Sequence, residues 1–248
     1  MIGQPQVRPF IDSQSSYLSV GLDFLIVALW LLTLVVAFTV DISATPWVIV
    51  LAGVLIRAFF HTGLFIVTHE AIHGNIARSN WLNDGFGYLT SFLYALLPYR
   101  KLASNHQLHH RFPGTEQDPD YCPSGKNNFL SWYFKFMKNY QADGQIWVSL
   151  TGMAAVFGIF IYLNISILNL ALFWIVPMII SSLQLFTFGI FLPHRQLEGS
   201  SQNSHQIESI RFPVFWSLMT CYHFGYHWEH HQYPNLPWYQ LPQACSKR

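Results

Sequence analysis

The sequence predicts an all-α integral membrane protein with four transmembrane helices, short interfacial or re-entrant helices, and a cytosolic histidine-rich cap. Three observations carry that prediction. The 248 residues are 52% hydrophobic and only 10% charged, against about 25% charged in soluble domains. Four apolar runs are close to the length of about 20 residues that a helix needs to cross a bilayer. Eight of the 12 histidines fall in three short runs that follow apolar stretches. The whole chain, 1–248, reads as a single domain. A formal net charge of +1 gives no electrostatic case for nucleic acid. The 3 cysteines, Cys122, Cys221 and Cys245, have no CxxC spacing; they read as structural, on a reducing side of the membrane.

Residues 1–19 are polar, and 20–40 form the first span, with Asp23 near its start. A secretory signal is shorter and ends in a small-residue cleavage site, which this stretch lacks. A turn at 41–46 ends in Pro46, and the second span starts at Trp47 and stays apolar to Val67 apart from Arg57 and His61. It runs without a breaker into His69 and His73, and at about 1.5 Å per residue His69 lies roughly 33 Å from Trp47. The first histidine pair therefore emerges at the membrane surface, with Gly74 and Asn75 placed to end the helix. His61 lies off that face and reads as a packing or hydrogen-bonding residue.

The apolar stretch 85–98 is too short to span and reads as interfacial or re-entrant. Arg100 and Lys101 return the chain to water, and Pro113, Gly114 and Asp118-Pro119-Asp120 break any helix after the second cluster. Residues 121–145 are mixed and aromatic, as at a headgroup boundary. The third span is 146–163 and the fourth 167–192, where Pro177 is a kink point. A polar loop, 196–211, leads to the apolar 213–226 and the last cluster. The proline-rich tail reads as an ordered cap or a surface loop. The short loops 41–46 and 164–166 hold no Lys or Arg. Of the 13 basic residues, all but Arg57 lie on the other side. The positive-inside rule then puts both termini and all three clusters in the cytosol.

The clusters are His69-Glu70-Ala71-Ile72-His73, His106-Gln107-Leu108-His109-His110 and His227-Trp228-Glu229-His230-His231. Residues three and four apart share a helix face, so each run can aim its rings at one point. Any one pair is equally a solvated or core-satisfied face. Three together point to metal, and eight imidazoles exceed the four of a tetrahedral zinc site, which implies two ions. Nitrogen donors without thiolate suit iron, zinc or copper. An iron pair would use O₂ against a C–H bond and a zinc pair would activate water; spacing does not separate them.

The pattern H-x₃-H, H-x₂-H-H, H-x₂-H-H resembles the membrane fatty-acid desaturase/hydroxylase superfamily, whose members hold a histidine-ligated di-iron site. The surroundings resemble the bacterial β-carotene 4-ketolase family, in TGLFIVTHEAIHG (62–74), LLPYRKLASNHQLHHRFPGTEQDPDY (96–121), QLFTFGIFLPHRQLEG (184–199) and FWSLMTCYHFGYHWEHHQYPNLPWYQLP (215–242). One departure is Glu70, where these ketolases usually carry Asp. The resemblance implies His69, His73, His106, His109, His110, His227, His230 and His231 as ligands of two iron ions (Fe²⁺). His194 matches a further ligand position at the end of the span before the last cluster. His223, one turn before His227, is a further ligand or an orienting neighbour. Glu70, Asp118, Asp120 and Glu229 are candidates to hold the second ring nitrogens, or are simply solvated charges.

The implied reaction has O₂ as co-substrate and two successive hydroxylations at C4 of a β-ionone ring, the geminal diol losing water to leave a ketone. β-Carotene becomes echinenone and then canthaxanthin; no separate protein acid or base is assigned. The implied partners are a carotenoid drawn from the bilayer, an electron donor such as ferredoxin, and the lipid membrane, with a homo-oligomer left open. The implied setting is a bacterial inner or thylakoid membrane. Rival readings are a carotenoid hydroxylase or fatty-acyl desaturase with the same site and, more remotely, a histidine-rich metal transporter. Transport needs ionisable groups at mid-membrane, and here the histidines gather at one surface.

Overall fold

The computed structural model describes residues 13–123, 128–195 and 207–246. Residues 1–12 of the polar leader and 196–206 of the polar loop lie outside the described residues. Among the described residues ten helices and a short 3₁₀ turn (Trp238–Gln240) run in order, and no strand occurs. They are α1 (Ser13–Phe38), α2 (Trp47–His73), α3 (Asn80–Ala95), α4 (Tyr99–Arg111), α5 (Phe129–Tyr140) and α6 (Gln145–Tyr162). The remainder are α7 (Ile167–His194), α8 (Val214–Cys221), α9 (His227–Gln232) and α10 (Leu241–Ser246). The protein is a membrane protein of all-α architecture: α1, α2, α6 and α7 are each long and apolar enough to span.

Helix α2 is the hub, packed against α1, α3 and α7. Its 27 residues make a rod of about 40 Å, longer than a hydrocarbon core of about 30 Å, so its last turn stands proud with His69 and His73. Gly74 ends it at φ 77°, a left-handed conformation that costs glycine little. The N–H groups of Gly74 and Asn75 return to the carbonyls of Ala71 and Glu70. At the opposite end, Asn169 Nδ2 donates to the carbonyls of Ala37 (2.9 Å) and Val40 (2.8 Å). The α1–α2 and α6–α7 connections therefore share one end, and the histidines gather at the other.

Two buried polar residues lock the spans together. Arg57 of α2 donates to the carbonyls of Trp30 (2.6 Å) and Phe173 (3.0 Å) and to Thr33 Oγ1 (3.0 Å). Pro177 explains why the Phe173 carbonyl is open to it, because proline has no N–H to return four residues back. His61 Nδ1 accepts from Trp30 Nε1 at 3.2 Å and its ring stacks on Tyr94 at 4.7 Å. Helix α7 is wound as a π-helix over Ala171–Ile175 and Phe186–Phe191, each time just before a proline, Pro177 and Pro193.

Element ends differ from the hydropathy reading where polar residues begin or end a helix. Helix α1 starts at Ser13 rather than Val20. Helix α3 starts at Asn80 rather than Gly85, because the Asn83 side chain folds the preceding turn. It accepts from the N–H groups of Ile76 and Ala77 and donates to the Ala77 carbonyl. Helix α8 stops at Cys221, since Tyr222 (φ 48°) and His223 (φ 64°) are both left-handed. The tail is a cap: the Trp238 N–H donates to Glu70 Oε2 at 3.1 Å, and Asn75 Nδ2 to the Pro234 carbonyl at 3.0 Å.

Candidate metal centre

Nine imidazoles converge at the histidine end of the bundle in two adjoining sets. The first joins His69 and His73 of α2, His106 and His110 of α4, and His230 of α9. Its Nε2 atoms lie 2.8 Å (His73–His106), 3.1 Å (His106–His110), 2.9 Å (His110–His230) and 3.2 Å (His69–His230) apart. The second joins His109 of α4, His194 at the end of α7, and His227 and His231 of α9. Its separations are 2.9 Å (His194–His227), 3.1 Å (His227–His231), 3.0 Å (His109–His231) and 3.5 Å (His109–His227).

The division follows from helix geometry. In α4 the i, i+4 pair His106 and His110 faces the first set, and His109, one step off that face, reaches the second. In α9 the roles are exchanged: His227 and His231 serve the second set and His230 the first. His110 and His231 stack at 4.2 Å between the sets. His194 is carried in by the π-helical turns of Phe186–Phe191; such turns carry an extra residue and are frequent at functional sites. Gly189 in that stretch leaves room for Phe224, whose ring packs on His69 at 5.0 Å and on His227 at 5.9 Å. A Cβ at 189 would fall inside contact distance of that ring. Gly189→Val is expected to cost about 1–3 kcal/mol by overpacking and to lower bound metal. Thermal unfolding in detergent and metal analysis check it.

The electrostatics favour a cation. Burial, followed by neighbouring histidines, holds His106, His227, His230 and His231 well below the usual imidazole range, and pushes His110 down to about 3. These rings are neutral and present lone pairs. His109 is the exception: burial lowers it, but the hydrogen bond to Asp118 and the charges of Asp120 and Asp118 outweigh burial and raise it. Its Nδ1 lies 3.0 Å from Asp118 Oδ1 and 3.7 Å from Asp120 Oδ2. A proton on Nδ1 leaves Nε2 bare and turned inward. Asp118 is itself fixed by the N–H groups of Gly114 (2.8 Å) and Asp120 (2.9 Å). Glu70 Oε1 stands 3.3 Å from His69 Nδ1.

A ring N–H can bridge one pair of these nitrogens, but His106, His110, His230, His227 and His231 each face two or more, so tautomers cannot satisfy every contact and a cation between the rings would. Imidazoles on one ion at about 2.0–2.1 Å would place neighbouring nitrogens about 2.9 Å apart in octahedral and about 3.3 Å apart in tetrahedral geometry. The observed separations, from 2.8 Å to 3.5 Å, bracket those values.

Of the residues singled out by sequence, the eight motif histidines and His194 meet in the two sets. Glu70, Asp118 and Asp120 lie against ring nitrogens. His223 stays outside both sets: its left-handed backbone (φ 64°) breaks the helix that would have stacked it below His227, and its ring stacks on Trp238 and Tyr226. Glu229 is buried but turns to Ser209, whose hydroxyl donates to its Oε2 and accepts the Trp228 N–H at 3.0 Å. Tyr140 was not foreseen. Its hydroxyl donates to Asp120 Oδ1 at 3.1 Å across about twenty residues, and no local pattern signals such a contact.

One helical turn beneath the first set lies a largely apolar cavity of about 300 Å³. Phe65 and Leu102, four residues before His69 and His106, form its roof. Leu150 and Ile179, each more than half exposed, carry it to the lipid-facing surface.

The model of the family described as fatty acid desaturase matches residues 44–148 and 134–246. A beta-carotene ketolase from Paracoccus sp. (strain N81106 / MBIC 01143) is 36% identical over 229 residues, covering 90% of each chain. A second, from Paracoccus sp. (strain PC1), is 35% identical over 237 residues and 91% of each. A zeaxanthin 4-ketolase from Chlamydomonas reinhardtii is 35% identical over 228 residues, 87% of this chain and 48% of that longer protein. No solved structure matches the chain.

Proposed function

The chain belongs to the fatty acid desaturase family, and from its likeness to the ketolases we propose that it is a carotenoid oxidoreductase converting the C4 methylene of a β-ionone ring to a ketone, β-carotene passing through echinenone to canthaxanthin. The observation that supports this most directly is the pairing of the two imidazole sets with an apolar cavity one turn below the first of them, open towards lipid. A substrate without polar groups can only be held by apolar burial, at about 25 cal/mol per Å² before binding costs. A cavity of this size takes one ring and the start of the polyene and leaves the rest of the chain in the bilayer.

The residues present fit two iron ions, which His69, His73, His106, His110 and His230 and, beside them, His109, His194, His227 and His231 would hold. Iron bound there would supply O₂-dependent oxidation of the allylic C–H bonds at C4. The chain supplies the rest. Asp118 and Glu70 fix the tautomers of His109 and His69; Asp120, held by Tyr140, adds negative charge behind His109. Phe224 and the cavity wall keep water from the reacting carbon. We place the cap and both termini in the cytosol of a bacterial inner or thylakoid membrane, where a soluble donor such as ferredoxin reaches the half-buried edge of the centre.

Pigment analysis of a bacterium that accumulates β-carotene, with and without this chain, tests the reading. Echinenone and canthaxanthin are the expected products. Products hydroxylated at C3 would make the protein a hydroxylase. Unchanged pigment with verified membrane expression, together with altered acyl chains, would make it a desaturase.

A further inference from the structure

Helix α9 delivers three histidines to the centre from only six residues, well short of the roughly 12–15 that an isolated helix needs to hold itself together. Its opening N–H groups have no partner within the helix, and Tyr226, the residue before it, supplies no capping side chain. The segment 207–213 meets both needs. Ser209 Oγ accepts the Trp228 N–H at 3.0 Å and donates to Glu229 Oε2. A hydroxyl can do both at once, so Ser209 joins two consecutive residues in the first turn of α9. Glu229 is fully buried, and a buried carboxylate is tolerated only where it is hydrogen-bonded.

The same segment is tied on either side of Ser209. The Glu208 N–H donates to the Pro193 carbonyl at 3.1 Å, and the Ile210 N–H to the Gly225 carbonyl at 2.8 Å. The Tyr226 hydroxyl donates to the Phe212 carbonyl at 3.0 Å. Pro193 immediately precedes His194, and Gly225 and Tyr226 lead into His227. Residues 207–213 therefore strap the end of α7 to the start of α9. Those two elements carry His194, His227 and His231, three of the four donors in the second set. The first set is placed otherwise: His69, His73, His106 and His110 come from α2 and α4, and only His230 comes from α9.

We propose that Ser209 is a positioning residue for the second imidazole set, fixing α9 against the end of α7 so that His227 and His231 meet His194. It acts on the rings through Trp228 and Glu229. The proposal rests on the two sets being metal sites. Its effect is unequal, because loosening the strap displaces three donors of the second set and one of the first.

The test reads the two sets separately. The purified chain in detergent is loaded anaerobically with Fe²⁺, and the iron retained per chain is followed against rising chelator for the unaltered chain, Ser209→Ala and Ser209→Thr. In the alanine variant one iron should leave at about 10–100-fold lower chelator, the usual cost of losing a group that orients ligands, while the other leaves as in the unaltered chain. Threonine, which keeps the hydroxyl, should restore the unaltered curve. Hydrogen exchange of the metal-free protein, measured in parallel, should be faster in α9 of the alanine variant and unchanged in α4. Loss of both irons together would mean that Ser209 only stabilises the cap, and overturns the proposal. An unchanged chelator curve or unchanged exchange in α9 overturns it too. Failure of the metal reading looks different: the unaltered chain would hold no iron, and exchange in α9 would then decide whether Ser209 positions that helix.

Discussion

Alanine in place of His230 will abolish carotenoid oxidation and deplete bound metal, while the protein stays inserted in the membrane. His230 has its Nε2 3.2 Å from that of His69 and 2.9 Å from that of His110, so it closes the first set by joining α9 to α2 and α4. Its removal leaves that set short of a donor and opens a path for water between the cap and the bundle. The spans rest on contacts remote from it, such as Arg57 with Phe173, and should be unaffected. Product formation, metal content by mass spectrometry and size-exclusion behaviour in detergent check the three parts. A variant that keeps both activity and its full metal content would refute the assignment of His230 as a ligand.

Asp118→Ala will cost about 10–100-fold in metal affinity or activity, the usual penalty for removing the partner of a ligating histidine. The carboxylate receives His109 Nδ1 together with the N–H groups of Gly114 and Asp120, so alanine strands three donors at once. Asp118→Asn keeps one acceptor oxygen for His109 and Asp120 but loses the charge and the oxygen that accepts the Gly114 N–H, and its effect should be smaller than that of alanine. Metal titration of both variants separates these contributions. Equal, near-normal affinity for both would mean that His109 is oriented by Asp120 alone.

The spans and the eight motif histidines were legible because both rest on short-range periodicity. Residues 47–73 read as one apolar rod with a histidine pair at its tip, and α2 is that rod. What spacing could not supply was the allocation between sets. An H-x₂-H-H run on a helix names three donors but not which centre each serves, and α4 and α9 divide theirs in opposite ways. His194 came from resemblance alone, since a lone histidine after Pro193 has no periodic signal and is aimed by non-local π-helical turns. His223 misled because its spacing to His227 assumes an unbroken helix, which Tyr222 and His223 interrupt with their own backbones. Tyr140 and Ser209 act through contacts far along the chain, and those exist only once the helices have packed.

The exchange of donors between α4 and α9 also sets a gauge. Because each helix feeds both sets from adjacent positions, the separation of the sets is written into the rise and twist of one helical turn. A change of spacing would require α4 or α9 to unwind. Two ions held by these sets would therefore sit at a separation fixed by the helices, and metal loading should leave α4 and α9 in place.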